Sequence, residues 1–464
     1  MSKISLKFYP LSFTIGISAL ILFTCSSVRH ALFQSTAFDL GIFDNAIYLI
    51  SQGQEPFISL IGFHILGDHA AWILYPLALT YKIYPDVHWL FGIQAISLAL
   101  GALPTWYLAI QAGLSKAQAY GMAVAYLLYP LIFNVNLFDF HPEVIAVPLI
   151  LGAVLAARLE KLWWFVIAIV VILGCKAVLA FTVIGMGVWL LIWEKKFWYG
   201  AIALFSGTAW FIVATQIVIP AFSGQEAAAV VRYDFLGNSV LEIATNLVFK
   251  PGLVLGKIFT LANLEYLVLL LIPLIWGLSP QHSSPLVAAA PILFLNLLTD
   301  YQLQKDLIHQ YSLPILPFLL LAAIANLAAG GGWLRSRRAI ILWSLVSFLA
   351  LAKFGYFGSK YLESNDTWQA TREALAQIKT QGGVLTTANI APHVTHRPIV
   401  QLATEGSESI NLSQLTYVLL NLPHYGLGSS PETVNTLRER LKRTPEFQLK
   451  YQRDGVFLFV KNHQ

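Results

Sequence analysis

Apolar residues run along this chain in blocks, and a helix needs close to 20 of them to cross about 30 Å of hydrocarbon. Blocks of about that kind lie at 10–28, 88–111, 117–135, 143–158, 161–175, 177–193, 197–220, 259–278, 283–299, 311–329 and 339–357, about eleven in all. A further apolar stretch at 70–84 is shorter and is interrupted by Pro76 and Lys82. Beyond Lys360 the pattern changes to short elements with polar punctuation. A helix is predicted over 367–380, stopped by Gly382-Gly383, then short strands near 384–387, 398–402 and 416–420. Pro431 opens a second helix running to Arg443, with Glu432 in its first turn and basic residues in its last, as the helix dipole favours. Strands at 446–452 and 456–460 flank Arg453-Asp454-Gly455, a hairpin turn. The expected fold is an all-α polytopic membrane domain over 1–360, followed by a small soluble α/β domain over 361–464.

Composition narrows the class. Hydrophobic residues make up 57% of the 464 and charged residues only 11%, against roughly a quarter charged in soluble globular proteins. The formal net charge is +5, and the basic residues form short clusters between apolar runs without interleaved aromatics. That arrangement points to membrane topology and away from a nucleic-acid partner. Cys25 and Cys175 both lie in apolar segments, which offers neither a metal-ligand spacing nor a disulfide framework, so they read as packing residues. Lys3 and Lys7 ahead of the run 11–23 resemble a signal peptide, and Cys25 a lipoprotein site. Leu22-Phe23-Thr24 lacks the small residues such cleavage wants, so the segment reads as an uncleaved first helix.

Charge sidedness supplies an orientation, because Lys and Arg collect in cytoplasmic loops. With Lys3 and Lys7 inside, Lys116, the Arg158/Glu160/Lys161 turn, the Glu194-Lys195-Lys196 turn and Arg335/Arg337/Arg338 all fall inside, provided 70–84 does not cross. Segments 41–52 and 70–84 are therefore expected as interfacial helices within one long first external loop, 29–87. The other external segments become 136–142, the turn at Cys175-Lys176, 221–258 and 300–310. The C-terminal domain then lies outside, at the face of a bacterial plasma membrane. It holds no nucleophile motif, phosphate loop or metal spacing, which favours binding or docking to a partner that the sequence does not name.

Carboxylates and histidines at membrane depth are costly and persist where they line a wet cavity. Here they gather on the expected outer side: Asp39 and Asp44, then Asp68-His69, then Asp139-Phe140-His141-Pro142-Glu143, then Asp300, Lys305, Asp306 and His309. Each has a plainer reading. Asp39 suits an N-cap as well as a base, Asp44 a solvated helix face, Asp68-His69 a loop or cap, and Pro142-Glu143 a helix start. Capping does not explain several acid-and-histidine clusters on one side.

At these residues the chain resembles a known family. FDLGIFDNAIYLI from Phe38, LGDHAAWILYPL, QAISLALGALPTWYLA, NLFDFHPEVIAVPLILGA, QYSLPILPFLLLAA, APHVTHRPIVQL and YVLLNL look like an uncharacterised family of bacterial membrane proteins, the domain of unknown function numbered 2079. The likeness covers most of the chain. That family is grouped with the GT-C superfamily of glycosyltransferases, which includes protein mannosyltransferases and lipid A aminoarabinose transferases. The resemblance implies a first external loop with two interfacial helices and an acidic residue just after the first span, which the charge pattern had already suggested. It implies a transferase that moves a sugar from a polyprenyl-phosphate carrier to an acceptor at the outer face. Asp39 would be the base, Asp68 and His69 would orient the acceptor or a divalent cation, and Lys176, Arg232, Lys305 or His309 would meet the lipid phosphate. Asp44, His141 and Glu143 complete the candidate substrate-binding set. One departure from the family pattern matters: Lys176-Ala177-Val178 stands where relatives carry Lys-Glu-Asp. Losing both acids leaves open a changed substrate or an inactive scaffold, and a lipid or small-molecule transporter is the other alternative.

The orientation is directly testable. In a background lacking Cys25 and Cys175, a single cysteine at Gln54 is expected to react with an impermeant thiol reagent in intact cells, and one at Ser336 to be protected. The reverse pattern overturns the assignment.

Overall fold

The computed structural model describes residues 9–462; Lys3 and Lys7, from which the orientation is read, lie outside that range. The chain is mostly helical and gathers into two compact units. One comprises Met1–Phe23, Leu66–Ile73 and Gly92–Lys353, and the other Thr24–Ile65, Leu74–Phe91 and Phe354–Gln464.

Every apolar block in the sequence is helical. Five helices among the described residues are long and apolar enough to cross a bilayer alone: Pro10–Ala31, His88–Gln111, Lys116–Phe138, Phe197–Ser223 and Arg337–Glu363. Pro251–Ile258 and Leu261–Gly277 form a pair bent by 57°. Leu162–Cys175, Leu179–Ile192, Leu286–Leu298 and Leu316–Ala328 are apolar but shorter. The helix Leu74–Ile83 has 10 residues, about 15 Å of rise, half of what a crossing demands. The stretch 70–84 therefore does not span as one helix.

Within the first unit, ion pairs join the basic turns to one another. Arg158 holds Glu194 through two bonds of 2.8 and 3.0 Å, and Lys196 holds Glu160 at 2.7 Å. The Gln118 amide donates to the Arg335 carbonyl at 3.1 Å. These clusters thus share one end of the unit. Lys161 and Lys176 flank the helix Leu162–Cys175, so Lys176 belongs to the other end, as the charge pattern requires.

At that other end the backbone comes very close. The Ile73 N–H donates to the Gly174 carbonyl at 3.0 Å and the Ala177 N–H to the His69 carbonyl at 2.9 Å, pinning 66–73 against the turn between two helices. A Cβ at Gly174 would lie 2.4 Å from the Trp72 indole, so only glycine lets the two chains meet there.

The second unit contains a small hairpin, β1 (Phe57–Ile58) and β2 (Phe63–His64), and five further strands. These are β3 (Gly383–Thr386), β4 (Val400–Leu402), β5 (Leu415–Asn421), β6 (Phe447–Arg453) and β7 (Val456–Lys461). They form one sheet in the order β4-β3-β5-β7-β6, with β4 and β5 parallel to β3 and β7 antiparallel to both neighbours. Alternation decides which core each residue joins. Val384, Leu419 and Leu458 pack with Ala370 and Ala374 of helix Trp368–Leu375, whereas Leu385, Leu420 and Phe459 pack with Val434, Leu437 and Leu441 of helix Pro431–Arg443. Ser430 caps the latter helix through the Thr433 N–H. Asp454 and Gly455 both take positive φ, 48° and 76°, which suits a two-residue hairpin turn. Ala37 joins the first of these cores and Leu60 packs against it, so the N-terminal part of the unit builds the same interior as the C-terminal sheet.

Gly174→Ala is expected to lower thermal stability in detergent by more than about 1 kcal/mol, since overpacking against an indole costs about 1–3 kcal/mol. Gly152→Ala, where an added Cβ meets nothing within 4 Å, is the matched control and is expected to be neutral or slightly stabilising. Equal melting of both variants would remove the close-approach argument.

Candidate functional site

Burial of charge inside an apolar helical unit is tolerated only with partners. Lys176, at the turn after helix Leu162–Cys175, reaches Glu143 in the first turn of helix Glu143–Arg158, and its ammonium donates to Glu143 Oε1 at 2.6 Å, both side chains nearly buried. The second carboxylate oxygen, Oε2, is buried without a partner. Asp68, His69 and Arg232 belong to the same electrostatic neighbourhood as this pair, and Asp68 Oδ2 lies 3.4 Å from His69 Nε2. The Arg232 guanidinium sits against two rings, 4.4 Å from the centroid of Tyr301 and 5.0 Å from that of Tyr311. It donates to Gln304 Oε1 and to the Tyr311 hydroxyl, each at 3.0 Å. Lys176 lies 6.0 Å from the Tyr311 ring, so Tyr311 stands beside both cations.

His141 and His309 flank Phe138, with ring centroids 5.8 and 4.2 Å from it. Gln94 holds the segment leading to His141: its amide donates to the Asn136 and Asp139 carbonyls, and its oxygen accepts the His141 N–H. Asp139 has φ 143°, a conformation that costs a non-glycine residue about 1–3 kcal/mol. His309 pairs with Asp306 at 2.7 Å. Lys305 has Asp300 and Lys257 as its charged neighbours. The structure thus brings Asp68, His69, His141, Glu143, Lys176 and Arg232 together, sets His309 beside Phe138, and places Lys305 with a different group. No three acidic, histidine or cysteine side chains converge as metal ligands among the described residues.

Asp39 and Asp44 belong to the second unit. Asp39 is half-buried inside the short π-helical turn Ala37–Gly41, so it is not the cap of helix Ile42–Ser51. Asp44 is not a solvated helix residue either: it is 1% exposed. Its carboxylate accepts from the Tyr81 hydroxyl and the Thr395 hydroxyl, and His396 Nε2 lies 3.2 Å from it. His396 also stacks on Tyr48 with centroids 4.6 Å apart. The neighbouring Asn45 amide donates to the Thr395 and Arg397 carbonyls. The quoted segments FDLGIFDNA and APHVTHRPIV therefore meet in one polar knot. Pattern reasoning missed the partners of both clusters, Tyr301, Gln304 and Tyr311 on one side and Tyr81 and His396 on the other, because nothing local marks them.

Two histidines of the second unit carry opposite pH signatures. Burial pushes His393 from 6.5 down to about 4; its Nε2 is buried without a partner and its ring stacks on His30 at 3.9 Å. Burial alone would lower His396 too, but the Asp44 carboxylate overrides it and raises the pKa. Neutral His393 contributes stability present above about pH 6.5 and lost as pH falls toward 4, whereas His396 contributes stability present at low pH and lost as pH rises through its raised pKa. His393→Phe is expected to remove roughly 3 kcal/mol of acid destabilisation between about pH 7 and about pH 4. Thermal unfolding of the full chain across that range checks it, and an unchanged acid slope sinks it.

Comparison with known proteins agrees with this architecture. Two structures of ArnT from Cupriavidus metallidurans are similar over nearly the whole chain. One, bound to undecaprenyl phosphate, has TM-score 0.59 at 10% identity and covers 98% of each chain. The other, in the apo state, has TM-score 0.57 at 10% identity and covers 97% of each. At that identity the likeness is one of fold. No curated protein matches the chain. The model of a family described as predicted membrane protein (DUF2079) matches residues 29–458, and the chain belongs to that family.

Proposed function

We propose that the chain is a GT-C-like transferase that takes a sugar from a polyprenyl-phosphate carrier and passes it to an acceptor at the outer face of the membrane. The observation that carries this reading is the pair of cations at one end of the helical unit, Lys176 and Arg232, both beside Tyr311. Such an arrangement suits a phosphate with an apolar tail: guanidinium and ammonium groups offer charge-assisted bonds, while the aromatic rings keep water away. That an ArnT of like fold binds undecaprenyl phosphate supports the same carrier class here.

In this reading the acceptor hydroxyl oxygen attacks the anomeric carbon. The bond from that carbon to the phosphate oxygen breaks, and its electron pair stays on the phosphate, where Lys176 and Arg232 neutralise the added charge. Asp39 takes the hydroxyl proton, and Asp68 and His69 orient the acceptor. Ala177 spends its N–H on the His69 carbonyl, so this chain's turn serves to hold His69 and present Lys176. Glu143 neutralises Lys176 at rest, and a bound phosphate would compete for the ammonium.

Asp39→Asn is expected to lower the rate of sugar transfer from the lipid carrier by about 10²–10⁴-fold with thermal stability within about 1 kcal/mol of wild type. Arg232→Gln is expected to raise KM for the lipid donor about tenfold or more, the loss of one charge-assisted contact. Wild-type rates in Asp39→Asn would eliminate it as the base. If the unmutated protein consumes none of a broad panel of polyprenyl-phosphate sugars, the transporter or scaffold reading takes its place.

A further inference from the structure

The second unit carries a cavity of about 440 Å³ between the β1–β2 hairpin region and the edge strand β4, within the range of about 300–1,000 Å³ typical of small-molecule sites. Its polar lining comes from Gln54, Glu55, Ser59, Gln401 and Gln414, and its apolar lining includes Phe57, which is 51% exposed. Gln401 Oε1 is buried without a hydrogen-bond partner. None of the cavity's lining residues among those described is Lys, Arg or His.

This lining selects against most ligand classes. Without a cation, and with the Glu55 carboxylate among its groups, it disfavours a phosphate or a carboxylate. A peptide strand adding to β4 would need the outward N–H and C=O of Val400. Both are already occupied by the Ser59 hydroxyl, which accepts from the former and donates to the latter, each at 2.8 Å. What remains is a neutral molecule rich in hydroxyls. The exposed Gln54 and Gln414 amides each offer both a donor and an acceptor, and the Glu55 carboxylate accepts from two hydroxyls, so the set matches the alternating donor and acceptor character of a sugar edge. An exposed phenyl face suits the C–H face of a pyranose ring. We propose that this groove binds a neutral saccharide, one or two residues of a glycan chain, as a site separate from the transfer chemistry.

The test uses the full chain in nanodiscs on an array of immobilised oligosaccharides ending in glucose, galactose, mannose, N-acetylglucosamine or a uronate. Wild type is expected to be retained on at least one, with Phe57→Ala and Gln401→Leu each weakening retention at least tenfold and Asp39→Asn leaving it unchanged. Should Gln401→Leu fail to fold, the exposed Gln54→Leu and Gln414→Leu replace it with the same expectation. Absence of retention by a protein that melts normally overturns the proposal, as does equal retention of the groove variants. Stronger retention on uronate-bearing glycans removes the neutral-ligand assignment, and loss of retention in Asp39→Asn moves the glycan to the reaction site.

Discussion

A charge withdrawn from water must find its opposite inside the protein, and in this chain that requirement organises the helical unit. The Lys176 ammonium and the Glu143 carboxylate, 2.6 Å apart, tie the turn after one helix to the start of another. Neither partner is tolerable alone, since breaking a buried pair costs about 3–5 kcal/mol. Around that pair the rest falls into place: the close backbone approach of 66–73, the glycine that admits Trp72, and the aromatic walls of Arg232. The pair is at once a structural tie and the reason a cation is held ready where the helices end.

The second unit solves the same problem differently. The Asp44 carboxylate accepts from two hydroxyl donors and lies against His396, and Asn45 satisfies two carbonyls of the same segment. Those contacts join a helix from early in the chain to a loop some 350 positions later, and they depend on an exact register between two segments. The cavity beside β4 arises from the same junction, because the hairpin that contributes Phe57 also supplies the Ser59 hydroxyl on Val400.

What was legible in the sequence is what local physics specifies. Helix Pro431–Arg443 is bounded where proline, a first-turn acid and last-turn bases place its ends, and the hairpin follows from Asp454-Gly455, whose positive φ angles glycine and aspartate tolerate. The apolar blocks are helices for the same reason. Partners distant along the chain left no local trace. Asp44 looks the same whether it faces water or Tyr81, and Arg232 sits in a short 3-10 turn, Ala228–Tyr233, whose sequence does not announce Tyr301 and Tyr311. The acid-and-histidine clusters were visible as clusters, yet which of them share a neighbourhood depends on packing that no periodicity encodes.

The second unit is assembled from three stretches, the first two separated only by 66–73 and the last by a long insertion, and its five-stranded sheet comes entirely from the last of them. A ribosome adding about 5–20 residues each second needs tens of seconds between finishing 74–91 and delivering β5. Through most of that interval Asp44 has Tyr81 but neither Thr395 nor His396, and Asn45 lacks the Thr395 and Arg397 carbonyls. The early segments must therefore wait, solvated or shielded by other molecules, and a chain interrupted before its final hundred residues would leave the Asp44 and Asn45 side chains of a largely apolar helix without their late partners, and an open apolar seam exposed to quality-control proteases.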